Sequence, residues 1–126
     1  MKIPPNNQAV MPYLILKDVK RFIDFTKQIF DGKLLMQHFR DDDNTVIAHA
    51  EIDIFGSTIM CADAVESFPP QPGSMFVYVE DADESFHKAI ALGADVITEP
   101  SSQEYGRTCG IKDPTGNIWW ITSVLQ

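Results

Sequence analysis

The sequence is short of basic residues, has two cysteines and contains no long apolar run. Ten Lys and Arg stand against 18 Asp and Glu in 126 residues, so the formal net charge is −8. A nucleic-acid-binding surface needs a basic stripe, and this balance argues against a nucleic-acid partner. No apolar run approaches the ~20 residues of a membrane span, and the first residues lack the apolar core of a signal peptide. We therefore expect a cytoplasmic protein with no membrane partner.

The two cysteines, Cys61 and Cys109, both fall in apolar stretches that read as strands. They are too far apart for a paired metal motif and too few for a disulfide framework. We predict that both are reduced and buried as small apolar residues. Cys109 has no His near it in sequence, which argues against a role as a nucleophile.

The stretch 108–122 is the most informative part of the chain. It contains the tetrapeptide Asp113-Pro114-Thr115-Gly116 between two short apolar runs. Pro in the second position and Gly in the fourth favour a tight turn, so the stretch predicts a β-hairpin. Successive strand side chains point to opposite faces, so Trp119 and Trp120 must face opposite ways. If one of the two indoles packs in a core, the other faces whatever lies on the far side of the sheet.

The first half of the chain reads as β-α-β-β-β. Asp18 is a good N-cap for a helix that runs to about Phe30, and Gly32 is placed to end it. The predicted strands cover residues 9–17, 34–39, 46–54 and 57–62, with a polar turn over 40–44. The third of these strands alternates, which predicts one face with Ala48, Ala50 and Ile52, and a second face with His49, Glu51 and Asp53.

The second half repeats this pattern. A strand over 74–80 precedes Asp81, which is predicted to cap a helix that ends at Gly93. A short strand at 96–98, a polar loop over 99–106 and the tryptophan hairpin follow. The segment Leu16-Lys17-Asp18-Val19 corresponds to Val79-Glu80-Asp81-Ala82, which lies 63 positions later. The sequence thus predicts one α+β domain of two tandem βαβββ modules (module 1 about 9–64, a linker at 65–73 and module 2 about 74–126).

A tandem βαβββ repeat that ends in Asp113-Pro114-Thr115-Gly116-Asn117 and an aromatic strand resembles the vicinal oxygen chelate superfamily. This superfamily contains glyoxalase I, extradiol dioxygenases, fosfomycin-resistance transferases and bleomycin-resistance proteins. The resemblance covers about residues 9–124 and looks closest to small glyoxalase-like proteins of the demethylubiquinone methyltransferase-like branch. It implies that each module curls into a half-cup of a mixed sheet, that the paired cups enclose a ligand cavity, and that the protein is a homodimer.

Enzymes of this superfamily place four metal ligands, usually His and Glu, at the first and last strand of each module. The resemblance carries these positions to Met11, Met60, Ser74 and Trp120. None of the four is a His or a carboxylate, and thioether and indole groups are poor ligands for the divalent ions concerned. We therefore expect no metal at these positions and no cofactor.

The same register implies that Trp119 packs beneath the sheet against the helices, and it implies which residues line the cavity. A lining of methionines and aromatic rings suits an apolar or planar ligand. Any one of these side chains could equally well serve only to fill the interior of the cup. Besides the four positions above, the implied lining comprises Tyr13, Ile15, Thr58, Ala62, Phe76, Tyr78, Ile118 and Thr122.

Three polar residues are further candidates. His49 and Glu51 share a strand face and could form an acid–base or metal pair with His38 or Asp53, or could simply form a polar rim. Arg107, beside Tyr105, could hold an anionic group or could face solvent. His87 reads as part of a solvated helix face.

The sequence leaves two classes of function open. The first is metal-independent binding of a small apolar or aromatic molecule between the modules, similar to the bleomycin-resistance proteins. The second is a glyoxalase- or dioxygenase-type metal enzyme with non-standard ligands that include His49 and Glu51. The four non-ligating residues favour the first class.

Overall fold

The computed structural model describes residues 1–125, and over this range it contains two helices and eight strands. The last residue of the predicted second module, Gln126, lies outside the described residues. The helices are α1 (Val19–Phe30) and α2 (Ala82–Ala91). The strands are β1 (Tyr13–Leu16), β2 (Lys33–Arg40), β3 (Asp43–Ile54), β4 (Ser57–Asp63), β5 (Ser74–Tyr78), β6 (Asp95–Gln103), β7 (Gly106–Lys112) and β8 (Ile118–Ser123).

The strands form two four-stranded sheets with the same topology. Their orders are β1-β4-β3-β2 and β5-β8-β7-β6, and in each sheet the first strand runs parallel to the last strand of its module. The chain divides into two compact units, with the boundary between Pro72 and Gly73. This architecture confirms the predicted α+β fold with two βαβββ modules. Within residues 1–125, no helix is long and apolar enough to cross a membrane.

Both helices begin at the predicted caps. The Asp18 side chain accepts a hydrogen bond from the Arg21 backbone N–H at 3.1 Å, and Asp81 does the same for Glu84 at 3.1 Å. Each bond satisfies one of the N–H groups that the first turn of a helix leaves unpaired. Helix α1 ends at Phe30 as predicted, but Asp31 rather than Gly32 takes the left-handed conformation that follows it, with φ of 52°. Aspartate tolerates this conformation better than most residues.

A side chain from the last strand of each module adds a second cap. The two carboxylate oxygens of Asp63 on β4 accept from the backbone N–H of Val19 at 2.9 Å and of Ile47 at 2.7 Å. In the second module, the Ser123 hydroxyl on β8 accepts from the backbone N–H of Ala82 at 3.2 Å. The start of each helix is thereby fixed to the sheet of its own module.

Two strand predictions were wrong in length. The first strand starts at Tyr13 instead of residue 9. Pro12 precedes it, and the Pro12 carbonyl accepts a hydrogen bond from Met60 N–H. Proline has no N–H of its own to donate, so the strand ladder does not continue through it. The predicted short strand at 96–98 and the loop after it form one strand of nine residues, β6. Pro100 is tolerated there because β6 is an edge strand whose register shifts between Thr98 and Ser101.

A bulge in β3 also changes the predicted faces of that strand. His38 pairs with His49 but Phe39 pairs with Ile47, so Ala48 is an extra residue between the two pairs. Such an extra residue breaks the strict alternation of a strand. Ala50 and Ile52 are buried as predicted, whereas Ala48 is exposed. The placement of Ala48 on their face was therefore wrong.

The cores lie between each helix and its sheet. Phe22, Phe25 and Phe30 of α1 are buried, and Trp119 of β8 is only 2% exposed. Cys61 and Cys109 are both buried and unpaired, as predicted. Burial raises the pKa of the Cys61 thiol to about 12 and that of Cys109 to about 11, which keeps both thiols protonated and poorly nucleophilic.

The turn before β8 is built around the buried carboxylate of Asp113. Its oxygens accept from the backbone N–H groups of Thr115 (2.8 Å) and Asn117 (3.1 Å), and from the Trp119 indole N–H (2.8 Å). The Thr115 hydroxyl and the Asn117 amide also donate to it. The side-chain amide oxygen of Asn117 (Oδ1) in turn accepts from the Gly73 N–H at 2.9 Å. One carboxylate therefore connects the turn, the core indole and the start of the second unit.

We predict that Asp113→Ala lowers the free energy of unfolding by about 3 kcal/mol or more, because it leaves several buried donors without an acceptor. Urea denaturation followed by tryptophan fluorescence measures the change. Asp53→Ala, at the corresponding turn of the first module and half-exposed, is the matched control and should cost less than about 1 kcal/mol. Equal losses in the two variants would contradict a special role for Asp113.

Candidate functional site

The face of the first sheet that carries Tyr13 holds a groove of about 440 Å³. Tyr13, Ile15 and Ala62, three of the predicted lining residues, are part of its wall. Ala48 reaches this face because of the bulge in β3. The remaining wall residues are Arg40, Val46, Asp63, Val65, Ser67 and Phe68. The groove thus combines an apolar wall with a few polar groups.

A row of hydrogen bonds starts at the Tyr13 side chain. Its hydroxyl lies 3.0 Å from His49 Nδ1, and His49 Nε2 lies 2.9 Å from Glu51 Oε2. The other Glu51 oxygen accepts from the Asn7 amide at 2.9 Å. The rings of Tyr13 and His49 are tilted, with centroids 5.6 Å apart. The structure therefore brings together three of the predicted site residues and adds Asn7, which precedes the first predicted strand.

These bonds define the electrostatics of the row. Hydrogen bonds from Asn7 and then His49 hold the pKa of Glu51 below its usual value, so the carboxylate favours its charged form. Burial, with smaller effects from Cys61 and Glu51, raises the pKa of Tyr13. The phenol is thus a neutral hydrogen-bonding group at physiological pH.

The charged groups in the wall of this groove already have partners. The Arg40 guanidinium forms a bidentate pair with Asp42, with both N–O distances 3.0 Å. Asp63 uses its two oxygens to accept from Val19 and Ile47 backbone N–H groups. A charged ligand would have to compete with these contacts.

The corresponding face of the second sheet carries an aromatic groove of about 260 Å³. Phe76, Tyr105 and Trp120 form its aromatic part, and Thr98, Ser101, Gln103 and Thr108 complete the wall. Trp120 lies on the opposite side of β8 from the buried Trp119, as predicted. Tyr78 is next to the groove, with its ring centroid 5.2 Å from that of Phe76 in an edge-to-face arrangement.

The Trp120 indole is held over the backbone of β7. Gly110 is its cross-strand neighbour, and a Cβ atom added to Gly110 would lie 2.6 Å from Trp120 Cζ3. The indole N–H donates to the Ser74 hydroxyl at 3.1 Å. The lack of a side chain at Gly110 is therefore what lets the indole lie close to the sheet, and Ser74 fixes its direction.

Arg107 is directed to helix α2. Its Nε and Nη2 donate to the two oxygens of Asp83 at 3.0 and 3.1 Å, and its Nη1 is 3.4 Å from the Ser102 hydroxyl. These bonds lower the pKa of the Asp83 carboxyl and raise that of the Arg107 guanidinium. An anionic ligand at Arg107 would have to replace Asp83.

Other predicted lining residues are less accessible. Thr58 is buried, with its hydroxyl bonded to the Asn6 carbonyl oxygen, and Thr122 is buried, with its hydroxyl 2.8 Å from that of Thr108. Met11 and Met60 are half-buried in the first unit. Of the wall residues of the aromatic groove that were not predicted from the sequence, Thr98 lies in β6 and Tyr105 lies in the turn after it. Reading β6 as a full strand would have included Thr98.

The residues present do not fit a divalent metal. The donors at the implied positions are two thioethers, one hydroxyl that already accepts from an indole, and that indole. Both ring nitrogens of His49 are also engaged, which leaves no lone pair for a metal. Among residues 1–125, no group of three or more His, Cys, Asp or Glu side chains is arranged to hold a metal ion.

We predict that Glu51 contributes stability that is present at neutral pH and lost on acidification. Its folded-state pKa is lowered, so this contribution is present above its ordinary value of 4.5 and disappears as the pH falls through the lower folded-state value. Thermal melts from pH 7 to 3 should therefore show a shallower acid loss for Glu51→Gln than for the unsubstituted protein. The exposed Glu66→Gln is the control, and an identical slope in all three proteins would contradict the prediction.

The chain is similar to several known proteins. An uncharacterized protein from Mycobacterium bovis is 31% identical over an alignment of 123 positions, and the alignment covers 88% of this chain and 80% of that protein. A Bacillus cereus structure described as a putative 3-demethylubiquinone-9 3-methyltransferase, PhnB protein, superposes with a TM-score of 0.76 at 21% identity, covering 93% of this chain and 100% of that one. TnmS3, an antibiotic-binding protein from Streptomyces sp. CB03234, superposes with a TM-score of 0.71 at 17% identity, covering 99% of each chain.

A family profile settles the assignment. The profile of the Glyoxalase/Bleomycin resistance protein/Dioxygenase superfamily matches residues 8–121, which include both βαβββ modules. The resemblance inferred from the repeat and from the Asp113–Asn117 motif is confirmed. The chain belongs to the Glyoxalase/Bleomycin resistance protein/Dioxygenase superfamily.

Proposed function

We propose that the protein binds a small, flat, largely apolar or aromatic molecule and that it does so without a metal. The observation that carries this proposal is the Trp120 indole, held over Gly110 and flanked by Phe76 and Tyr105 in an open groove. A half-buried ring whose orientation is already fixed loses little conformational freedom when a planar ligand stacks on its accessible face.

The arrangement of polar groups supports binding rather than metal-assisted catalysis. The implied metal positions carry poor donors, and His49 already bonds to Tyr13 and Glu51. The sequence-based alternative of a metal enzyme with His49 and Glu51 as ligands therefore has no observation in its favour. TnmS3, which shares the fold, is described as an antibiotic-binding protein. The two buried, unpaired thiols fit the reducing cytoplasm as the site of action.

We predict that Trp120→Ala weakens binding of the planar probe 9-aminoacridine by about 2–10-fold, as expected for the loss of an aromatic contact worth about 0.5–1.5 kcal/mol. Fluorescence titration of the probe measures the change. The folding stability should fall little, whereas Trp119→Ala should cost about 3–5 kcal/mol, because Trp119 is in the core.

Two further measurements make this test specific. Gly110→Val should weaken probe binding as Trp120→Ala does, because its side chain would occupy the position of the indole. Phe55→Ala removes a ring that is 57% exposed but belongs to the first unit, and it should leave binding unchanged. Loss of binding after treatment with EDTA, or unchanged binding in Trp120→Ala, would overturn the proposal.

The predicted homodimer is also a proposal. It is supported by β2, an edge strand of the first sheet on which Leu34, Leu35 and Phe39 are all exposed. Apolar residues on an exposed edge favour pairing with another chain, and a second copy is the partner always present.

We predict that sedimentation equilibrium gives the mass of a dimer and that Leu35→Lys shifts the protein towards the monomer. The introduced charge would have to be buried in an apolar contact, which is unfavourable. Glu66→Lys changes an exposed charge outside β2 and should keep the dimer. A monomeric mass for the unsubstituted protein would contradict the proposed homodimer.

A further inference from the structure

The row of hydrogen bonds from Glu51 to Tyr13 has a direction. A carboxylate only accepts, so the proton between Glu51 and His49 belongs to His49 Nε2. In the neutral imidazole ring the second nitrogen then carries the lone pair. His49 Nδ1 therefore accepts, and the group 3.0 Å away that donates to it is the Tyr13 hydroxyl. The Tyr13 proton is thus directed at His49.

The orientation of Glu51 is itself fixed from the other side. The Asn7 amide donates to Oε1, which leaves Oε2 for His49. The Glu51 side chain is only 15% exposed and that of His49 25%, so the pair is largely shielded from competing water. The row from Asn7 through Glu51 and His49 to Tyr13 therefore has one arrangement of donors and acceptors.

We infer that Tyr13 makes the groove of the first sheet selective for a ligand that carries a hydrogen-bond donor, such as a phenol or other hydroxyl group, on an apolar body. With its proton directed at His49, the Tyr13 oxygen has only lone pairs left for the ligand. Tyr13 is also part of the groove wall, beside Ile15, Val46 and Ala48. The neighbouring charged groups, Arg40 and Asp63, are already engaged by partners of their own.

This inference concerns a different groove from the one that carries Trp120, so the two proposals can fail separately. A ligand with only acceptor groups would face the Tyr13 lone pairs and would gain nothing from them. A ligand with a donor would gain one hydrogen bond, which corresponds to about a fivefold difference in affinity. Tyr13 would then act as a specificity-determining residue, while His49, Glu51 and Asn7 act as positioning residues.

The test compares 2-naphthol, which has a donor, with 2-methoxynaphthalene, which has the same ring system and no donor. Titrations are read from the NMR signals of Tyr13 and of the Ala48 methyl group, both in the groove. The unsubstituted protein should bind 2-naphthol about fivefold more tightly. Tyr13→Phe should bind the two probes equally, and Ser57→Ala, which removes an exposed hydroxyl of the first unit outside the groove, should keep the preference.

A second variant tests the direction of the row. In Glu51→Gln, the Asn7 donor would hold the amide oxygen, so the amide NH₂ would face His49 and make Nε2 the acceptor. The His49 proton would move to Nδ1, the Tyr13 proton would turn to the groove, and the preference for 2-naphthol should disappear although the side-chain size is unchanged. Long-range ¹H–¹⁵N spectra report the His49 tautomer directly.

The inference would be overturned by equal affinity of the unsubstituted protein for the two probes, by retention of the preference in Tyr13→Phe, or by a His49 ring protonated at Nδ1 in the unsubstituted protein. If neither probe shifts the Tyr13 and Ala48 signals, the groove does not bind such molecules and the inference is also wrong. The 9-aminoacridine titration at Trp120 is independent of all these outcomes.

Discussion

The second module depends on a single buried charge, the Asp113 carboxylate. Five donors converge on its two oxygens, and they come from the turn itself, from the Asn117 amide and from the indole of Trp119. Burying a carboxylate is costly unless its lone pairs are satisfied, and here the satisfaction is nearly complete. Because Trp119 is anchored in this way, the direction of β8 is set, and Trp120 must project from the opposite face. The aromatic groove is therefore a consequence of the core contact beneath it.

The two modules share one topology but offer different chemistry on the faces that carry Tyr13 and Trp120. The first sheet presents a phenol connected to a histidine and a carboxylate, whereas the second presents an indole, a phenylalanine ring and a tyrosine ring. In both sheets the charged side chains nearby are tied to partners, Arg40 to Asp42 and Arg107 to Asp83. A ligand bound on either face, as proposed above, would therefore meet aromatic rings and neutral hydrogen-bonding groups.

Much of this could be predicted from the sequence, because local rules decide it. The helix caps at Asp18 and Asp81, the turn at Asp113 and the opposite directions of Trp119 and Trp120 all follow from short-range geometry. The repeat of the βαβββ pattern then predicts that the two modules have the same topology. The sequence was insufficient to predict the structure where contacts between residues distant in the chain determine it. The bulge at Ala48 depends on how β3 pairs with β2, and the position of Pro100 in a strand depends on β6 being an edge.

In the candidate site, too, some features could be predicted from the sequence and others required the fold. The shared face of His49 and Glu51 was predictable from alternation, but their connection to Tyr13 and Asn7 needed the fold, since Asn7 and Glu51 are 44 residues apart. The pairing of Arg107 with Asp83 likewise joins a strand to a helix, and nothing in the spacing of the two residues indicates it.

The contacts at the helix starts also determine whether the helices of the two modules could be exchanged. In the first module the acidic group is on the strand, since Asp63 of β4 reaches the start of α1, whose own first turn has no acidic residue. In the second module the acidic groups are on the helix, where Asp83 reaches Arg107 of β7, and Ser123 makes only a neutral contact. A chimaera that joined α1 to the second sheet would leave Arg107 without a carboxylate and would replace the Asp63 contact at the start of α1 by the neutral Ser123 hydroxyl, so that Asp18 alone of these two carboxylates would remain there. The reverse chimaera would crowd the acidic first turn of α2 against Asp63. The halves still share a topology, but their charges have diverged so that neither helix is suited to the other sheet.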